Sequence, residues 1–329
     1  MEEVKIIGVG LTPFGRFLDL SLKDLGREAC QQAFQDAGIA AMDVQAAFMA
    51  NAMAGLITGQ ECVRGQIILR AMGIGDIPVV NVENANASSS SALYLAWLAI
   101  SAGHFDVILV LGSEKLCHPE RARTYQAIAA SMDLEQITEW LALKETDPKP
   151  VTARPGQELV RVRSVYMDFF AMAARRHMAK YGTTVEQLAA ISVKNHYHGS
   201  LNPGARYREA YTIEQVLNAP LVAYPLTRPM CSPLSDGAAA MILCSADYAR
   251  ARGRTDAVTV KAVALGSGVD RQPDEPDIAA RVGQRAYDLA GAGPEDVSVA
   301  ELHDATAFTE LQATEELGFC PRGEGGLFY

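Results

Sequence analysis

No stretch of this 329-residue chain is apolar for the ~20 residues that a membrane-spanning helix requires. The first residues, Met1-Glu2-Glu3, are acidic where an export signal would be basic, so a cytoplasmic location is the expectation. Basic charge is also scarce: 29 Lys and Arg against 39 Asp and Glu give a net charge of −10. A general nucleic-acid binder needs clustered cations to neutralise phosphates, and this balance argues against one. Paired cysteines are missing too. Six cysteines are scattered with no Cys-x-x-Cys, which excludes a zinc ribbon or redox pair of that spacing, and no metal is expected. Each cysteine is expected to be a small buried hydrophobe in a reducing compartment. A Gly-rich nucleotide loop and a Gly-x-Ser-x-Gly elbow are likewise absent.

What is present is enough apolar content, 49%, to bury one large core or two fused ones. Two segments share a plan. The first has a strand at Val4–Val9, an amphipathic helix at Leu22–Ala37 and a strand at Ala46–Ala50. The second has a strand at Val258–Leu265, a helix at Ile278–Ala290 and a strand at Val299–Leu302. Recurrence in the same order suggests duplicated α/β halves. The first half continues with helix Glu61–Met72, strand Pro78–Glu83, helix Ser88–Ala102 and a continuous apolar strand at Asp106–Leu111, the pattern of a strand covered on both faces. The expected organisation is an N-terminal half at 1–116, an inserted substrate region at 117–225, the last strand of the first half at 226–250, and a partial second half at 251–329.

Residues 79–93 carry the strongest chemical signal: a β-branched strand, Val79 to Val82, breaks at Glu83-Asn84-Ala85-Asn86-Ala87 into the helix that begins Ser88-Ser89-Ser90-Ser91. The first N–H groups of a helix have no partner within it, so an atom at this elbow meets free donors at a positive dipole end. Such an end favours a thiolate, an oxyanion or a phosphate. The serine run reads chiefly as small capping residues that permit close packing, with N–H groups at Ser88 and Ser89 able to line an oxyanion pocket.

The elbow resembles the nucleophile elbow of the thiolase superfamily, where Glu-Asn-Ala is followed by an acyl-carrying cysteine; here that position is Asn86. Three further segments agree in order. Ser235-Asp236-Gly237-Ala238-Ala239 is similar to the superfamily's run into the last strand of its first half. The stretch from Lys180-Tyr181-Gly182 through Asn195, His196 and Asn202-Pro203 resembles the connecting region of sterol-carrier-protein-type thiolases. His303-Asp304-Ala305-Thr306-Ala307-Phe308 resembles the His-Asp loop of that branch. The resemblance implies a layered αβαβα thiolase-like fold of duplicated halves, the second truncated. It implies that His303 polarises a thioester oxygen or moves a proton, and that coenzyme A, as the thioester substrate, is held in the inserted region, where Arg161, Arg163, Arg175 and Arg176 supply forked cations for its phosphates. It also implies a homodimer paired through the Pro78–Glu83 strand.

Two departures narrow the chemistry. Asn86 carries no acylatable group, and no Gly-His-Pro histidine or second catalytic cysteine is found. Three readings follow: a thiolase or acyltransferase in which Asn86 is a substitution; a thiolase-like subunit that performs retro-aldol cleavage of a β-hydroxyacyl-CoA with a small partner of zinc-ribbon and oligonucleotide-fold type; or a non-catalytic acyl-CoA-binding scaffold.

Overall fold

The computed structural model describes residues 2–136, 138, 156–269 and 275–329. The expected inserted region therefore lies partly outside the described residues. In chain order the elements begin with β1 (Val4–Leu11), α1 (Leu22–Ala37), β2 (Ala46–Ala50), α2 (Ala54–Thr58), α3 (Arg64–Arg70), β3 (Val79–Val82), α4 (Ser88–Ser101), β4 (Val107–Glu114) and α5 (Arg121–Ala129). They continue with α6 (Val165–Tyr181), α7 (Val185–Leu201), α8 (Ile213–Asn218), β5 (Leu221–Ala223), β6 (Leu226–Thr227) and β7 (Gly237–Ser245). The last are α9 (Ala246–Ala251), β8 (Val258–Thr259), α10 (Ile278–Ala290), α11 (Ala307–Glu316) and α12 (Gly325–Phe328). Two compact units result: 1–127 with 234–265, and 128–233 with 266–329.

The first unit is a six-stranded sheet in the order β3-β2-β4-β7-β1-β8. Strand β2 runs parallel to β3 and β4, whereas β7 is antiparallel to β4 and β1. Apolar side chains cover both faces. Ile7, Met49, Leu109 and Ile242 join the layer under α1, while Phe48, Ile108, Val110 and Leu243 join the layer under α4. Helix α1 starts where Ser21 and Asp24 form a capping box and ends at Gly38, whose φ of 66° terminates the helix in the left-handed region. It lies so close to β1 that a Cβ on Gly10 would sit 2.0 Å from the carbonyl oxygen of Ala29. At the far end of β4, Lys115 pairs with the fully buried Asp236 at 3.3 Å. Asp236 also accepts the N–H groups of Phe17, Leu116 and Cys117 at 2.8–3.0 Å. The Ser-Asp-Gly-Ala-Ala segment thus works here as a structural clasp that satisfies loop donors as the chain turns into β7.

In the second unit, α6, α7 and α11 pack around Ala171, Leu188, Ile191, Leu226, Phe308 and Leu311. Thr184 and Gln187 cap α7 reciprocally. His177 sits inside this bundle, bonded to Thr183 at 2.9 Å and to Glu315 at 3.1 Å.

Several expectations need correction. The strand expected at Val258–Leu265 pairs only at Val258–Thr259, against β1, and Val299–Leu302 forms no strand; Val299 is 80% exposed. An extended apolar run becomes a strand only where a neighbour takes its backbone groups; β1 does so for the start of the first run, the Val260 N–H reaching the Val4 carbonyl at 3.0 Å, and no ladder continues beyond it among the described residues. The helix expected at Glu61–Met72 is shorter, α3 at Arg64–Arg70, and starts only after Val63, whose φ of 51° keeps the preceding residues out of the spiral. Cys62, expected to be buried, is exposed in that preceding stretch.

Candidate active site

Because β2, β3 and β4 are parallel, their C-terminal ends gather at one edge of the sheet, where ligands of α/β folds characteristically bind. Three features meet there. Asn51 follows β2, the elbow follows β3, and Glu114 ends β4. Asn51 Nδ2 donates to Glu114 at 2.9 Å, and the N–H groups of Ala52 and Met53 donate to the same carboxylate at 3.0 and 3.1 Å. Burial raises the Glu114 pKa even against these donors. Sequence reasoning passed over Glu114; the signal was an acid placed directly after a continuous apolar strand.

The elbow is a tight, internally bonded turn. Ala85 takes φ 43°, a strained value for a residue with a side chain, and Glu83 holds it there by accepting its N–H at 2.7 Å. Asn84 donates from its backbone to Ser88 Oγ at 2.9 Å and from Nδ2 to Ser91 Oγ at 2.8 Å, while the Ser88 hydroxyl donates to the carbonyl of Ala85 at 2.7 Å. Ser88 therefore ties the turn together and is not a free nucleophile. The expectation that the serines cap α4 is not met: the cap position is Ala87, with no side-chain hydrogen bond, because Ser88 folds back on the turn. Asn86 is exposed at the apex. Ser89 is also exposed, and a Cβ on Gly112 of β4 would lie 2.5 Å from its Oγ, so a glycine there allows α4 to sit down on the strand.

His303 belongs to the second unit, on an exposed irregular segment just before α11. Thr306 caps α11 by accepting the N–H of Thr309 at 3.2 Å, which fixes where the loop ends. The loop is stitched to the segment after β6: the N–H of Ser232 donates to the carbonyl of Ala305 at 3.1 Å, and Cys231 bridges Thr306. Asp304 accepts a hydrogen bond from Asn195 Nδ2 at 3.2 Å, and the same amide donates to Glu310, which Lys194 also meets. Desolvation and the neighbouring Glu310 charge raise the Asp304 pKa. Asn195 and Asp304 line both a cavity of about 410 Å³ and a second of about 650 Å³. Burial pushes the Cys231 thiol up to about 12, so it stays protonated and unreactive at neutral pH.

The four arginines are not one cluster. Arg163 is committed to Asp168 through Nε at 3.1 Å and Nη2 at 2.6 Å, and Arg175 donates to the carbonyl of Tyr224. Arg161 and Arg176 are exposed. Between the two pairs runs the first part of α6, about 15 Å at 1.5 Å per residue. Among the described residues, no group of three or more His, Cys, Asp or Glu is placed to hold a metal ion, and no helix is long and apolar enough to cross a membrane.

The thiolase N-terminal domain matches residues 4–210, and a thiolase C-terminal domain-like region matches residues 271–329. The chain belongs to the thiolase superfamily. It is 39% identical to an acetyl-CoA acetyltransferase of Methanothermobacter thermautotrophicus over 99% of its own length and 80% of that protein. It is 31% identical to sterol carrier protein 2 of Bos taurus, covering 99% of this chain and 58% of that one, which bears out the sterol-carrier-type branch of the superfamily. Among solved structures, an Ltp2-ChsH2(DUF35) aldolase shares its fold at a TM-score of 0.72 and 26% identity, over 99% of this chain and 79% of that chain. The α/β thiolase fold read from four short motifs is therefore the fold observed.

Proposed function

We propose that this acyl-CoA enzyme of the thiolase superfamily makes or breaks a carbon–carbon bond next to a thioester without forming an acyl-enzyme, most directly by retro-aldol cleavage of a β-hydroxyacyl-CoA. The observation that carries this reading is Asn86, an amide at the apex of an otherwise intact elbow. An enzyme that depends on a nucleophile loses about 10⁴–10⁶ in rate without it. A retro-aldol cleavage needs none.

In that reaction the proton leaves the β-hydroxyl and the Cα–Cβ electron pair moves into the thioester as an enolate. The β-carbon departs as a ketone or aldehyde, and a proton returns to Cα. His303 takes the hydroxyl proton, the general-base role that an imidazole most often fills. Of the oxyanion donors expected at the elbow, the Ser88 N–H is taken by the carbonyl of Ala85, which leaves the Ser89 N–H as the proposed donor to an enolate oxygen. Arg161 and Arg176, whose guanidinium groups are exposed, hold coenzyme A phosphates, with Arg163 and Arg175 shaping that surface through Asp168 and Tyr224. A small zinc-ribbon and oligonucleotide-fold subunit completes the enzyme; the likeness to a structure described as an Ltp2-ChsH2(DUF35) aldolase supports this. The protein works as a cytoplasmic homodimer paired through β3, which lies at the edge of its sheet.

The 39% identity to a protein named acetyl-CoA acetyltransferase favours acyl transfer as a second reading. Asn86→Cys separates the two. An acyl-transfer ancestor predicts that the variant takes up acyl mass from acetyl-CoA and gains thiolase turnover. Retro-aldol chemistry predicts that the variant gains no turnover, while the unmodified chain with its partner releases a carbonyl product.

A further inference from the structure

The cavity of about 410 Å³ in the second unit falls within the usual range for small-molecule sites, and its wall begins at Asp304, one residue from His303. One face of α7 forms its side through Ser192, Asn195, His196 and Gly199, and the loop after that helix closes it with Arg206 and Tyr207. Its polar groups differ sharply in what they already do. Ser192 Oγ donates to the carbonyl of Pro229 at 2.7 Å, and His196 Nε2 lies 3.3 Å from the same oxygen. The Asn195 amide serves Asp304 and Glu310. Arg206 is different. Its Nε is buried with no hydrogen-bond partner among the described residues, while its guanidinium lies 5.6 Å from the centre of the Tyr207 ring.

A buried guanidinium nitrogen without an acceptor is costly, and its natural complement is an anionic oxygen pair that meets the planar guanidinium. Arg228 also lines the cavity, so two arginines border it against one acidic residue, Asp304, which Asn195 already engages. The surrounding rings fix the shape of what lies between: His196 stacks within 6.4 Å of Tyr207 at 20° and meets Tyr211 edge-on at 4.5 Å. This gives a flat-walled slot with a cation at one side.

We propose that this slot receives the far end of the acyl group and that Arg206 selects acyl groups ending in a carboxylate, the half-thioesters of dicarboxylic acids, over neutral chains of equal length. The inference rests on the acyl-CoA reading above and adds the substrate class. It is tested with the full chain by calorimetric titration of glutaryl-CoA, pentanoyl-CoA and coenzyme A, matched in acyl length for the two thioesters. The unmodified protein should bind glutaryl-CoA at least tenfold more tightly than pentanoyl-CoA. Arg206→Gln should reduce that preference below threefold while leaving pentanoyl-CoA and coenzyme A affinities unchanged, and Arg206→Lys should retain part of it. Equal affinity of the unmodified protein for the two thioesters overturns the inference without any variant. A parallel loss of all three affinities in Arg206→Gln also overturns it, by placing Arg206 on the coenzyme. If neither thioester nor coenzyme A binds at all, the acyl-CoA reading itself falls with it.

Discussion

At the scale of single residues, the account turns on His303 and its neighbour. His303 is exposed and contributes little packing, so His303→Ala should remove turnover while leaving the melting temperature within a degree or two. Retention of activity within threefold would make the residue structural. Asp304 has the opposite signature. Its carboxyl pKa is raised by desolvation and by Glu310, so the folded state holds that proton more tightly than the unfolded chain does. The resulting stability is complete below the ordinary carboxylate value of about 3.9 and is lost as pH rises through the higher folded value. Asp304→Asn, which mimics the protonated form, should therefore melt higher than the unmodified protein at pH 7, with the gap closing below about pH 4. Thermal scans at both pH values decide this, and an unchanged or lower melting temperature at pH 7 would contradict it.

At the scale of elements, the strand at Ala46–Ala50 and the helices at Leu22–Ala37 and Ile278–Ala290 were legible to the residue, the helices because each ends at its own stop signal, Gly38 and Gly291 in left-handed conformations. The elbow was legible as a strand breaking into a small-residue helix. Its internal bonding was not, since Ser88 turning back to Asn84 and Ala85 depends on the exact dihedral of Ala85. Nor could spacing show that Asn195 bridges Asp304 and Glu310, which come together only when α7 and the start of α11 pack. The strands expected at Val258–Leu265 and Val299–Leu302 failed for a related reason: composition reports what could pair, and pairing needs a partner. Two predictions belong here. In Gly112→Ala the added methyl would meet Ser89 Oγ at 2.5 Å, shifting α4 from its strand. It should cost about 1–3 kcal/mol by overpacking and lower activity more than Ala replacements elsewhere on β4, as read by denaturant titration and turnover. In the second unit, burial would raise the Glu315 pKa, but the hydrogen bond from His177 and the N–H groups of Gly323 and Gly325 outweigh it and lower the pKa. That contribution is present above the ordinary value of about 4.3 and fades as pH falls through the lower folded value. Glu315→Gln should lose about 1–3 kcal/mol at pH 7 and little at pH 3.5, by chemical denaturation at each pH.

At the scale of the whole molecule, β3 is an edge strand whose outer row of backbone groups faces away from β2, with the Val79 carbonyl accepting from Gln66 Nε2 at 3.2 Å, and Val80 on it is 42% exposed. Pairing of two such edges across a two-fold axis would satisfy both rows. Val80→Lys should therefore shift the protein from dimer to monomer in light scattering at micromolar concentration, and a monomeric unmodified protein would remove the dimer from the account. The central claim, carbon–carbon chemistry without an acyl-enzyme, is tested most directly by intact mass spectrometry of the unmodified chain, in complex with a zinc-ribbon partner subunit, during turnover of a β-hydroxyacyl-CoA. The account predicts an unchanged protein mass alongside release of a ketone or aldehyde and the shortened acyl-CoA. A covalent acyl adduct on the chain, or a folded complex that releases no carbonyl product, would contradict it.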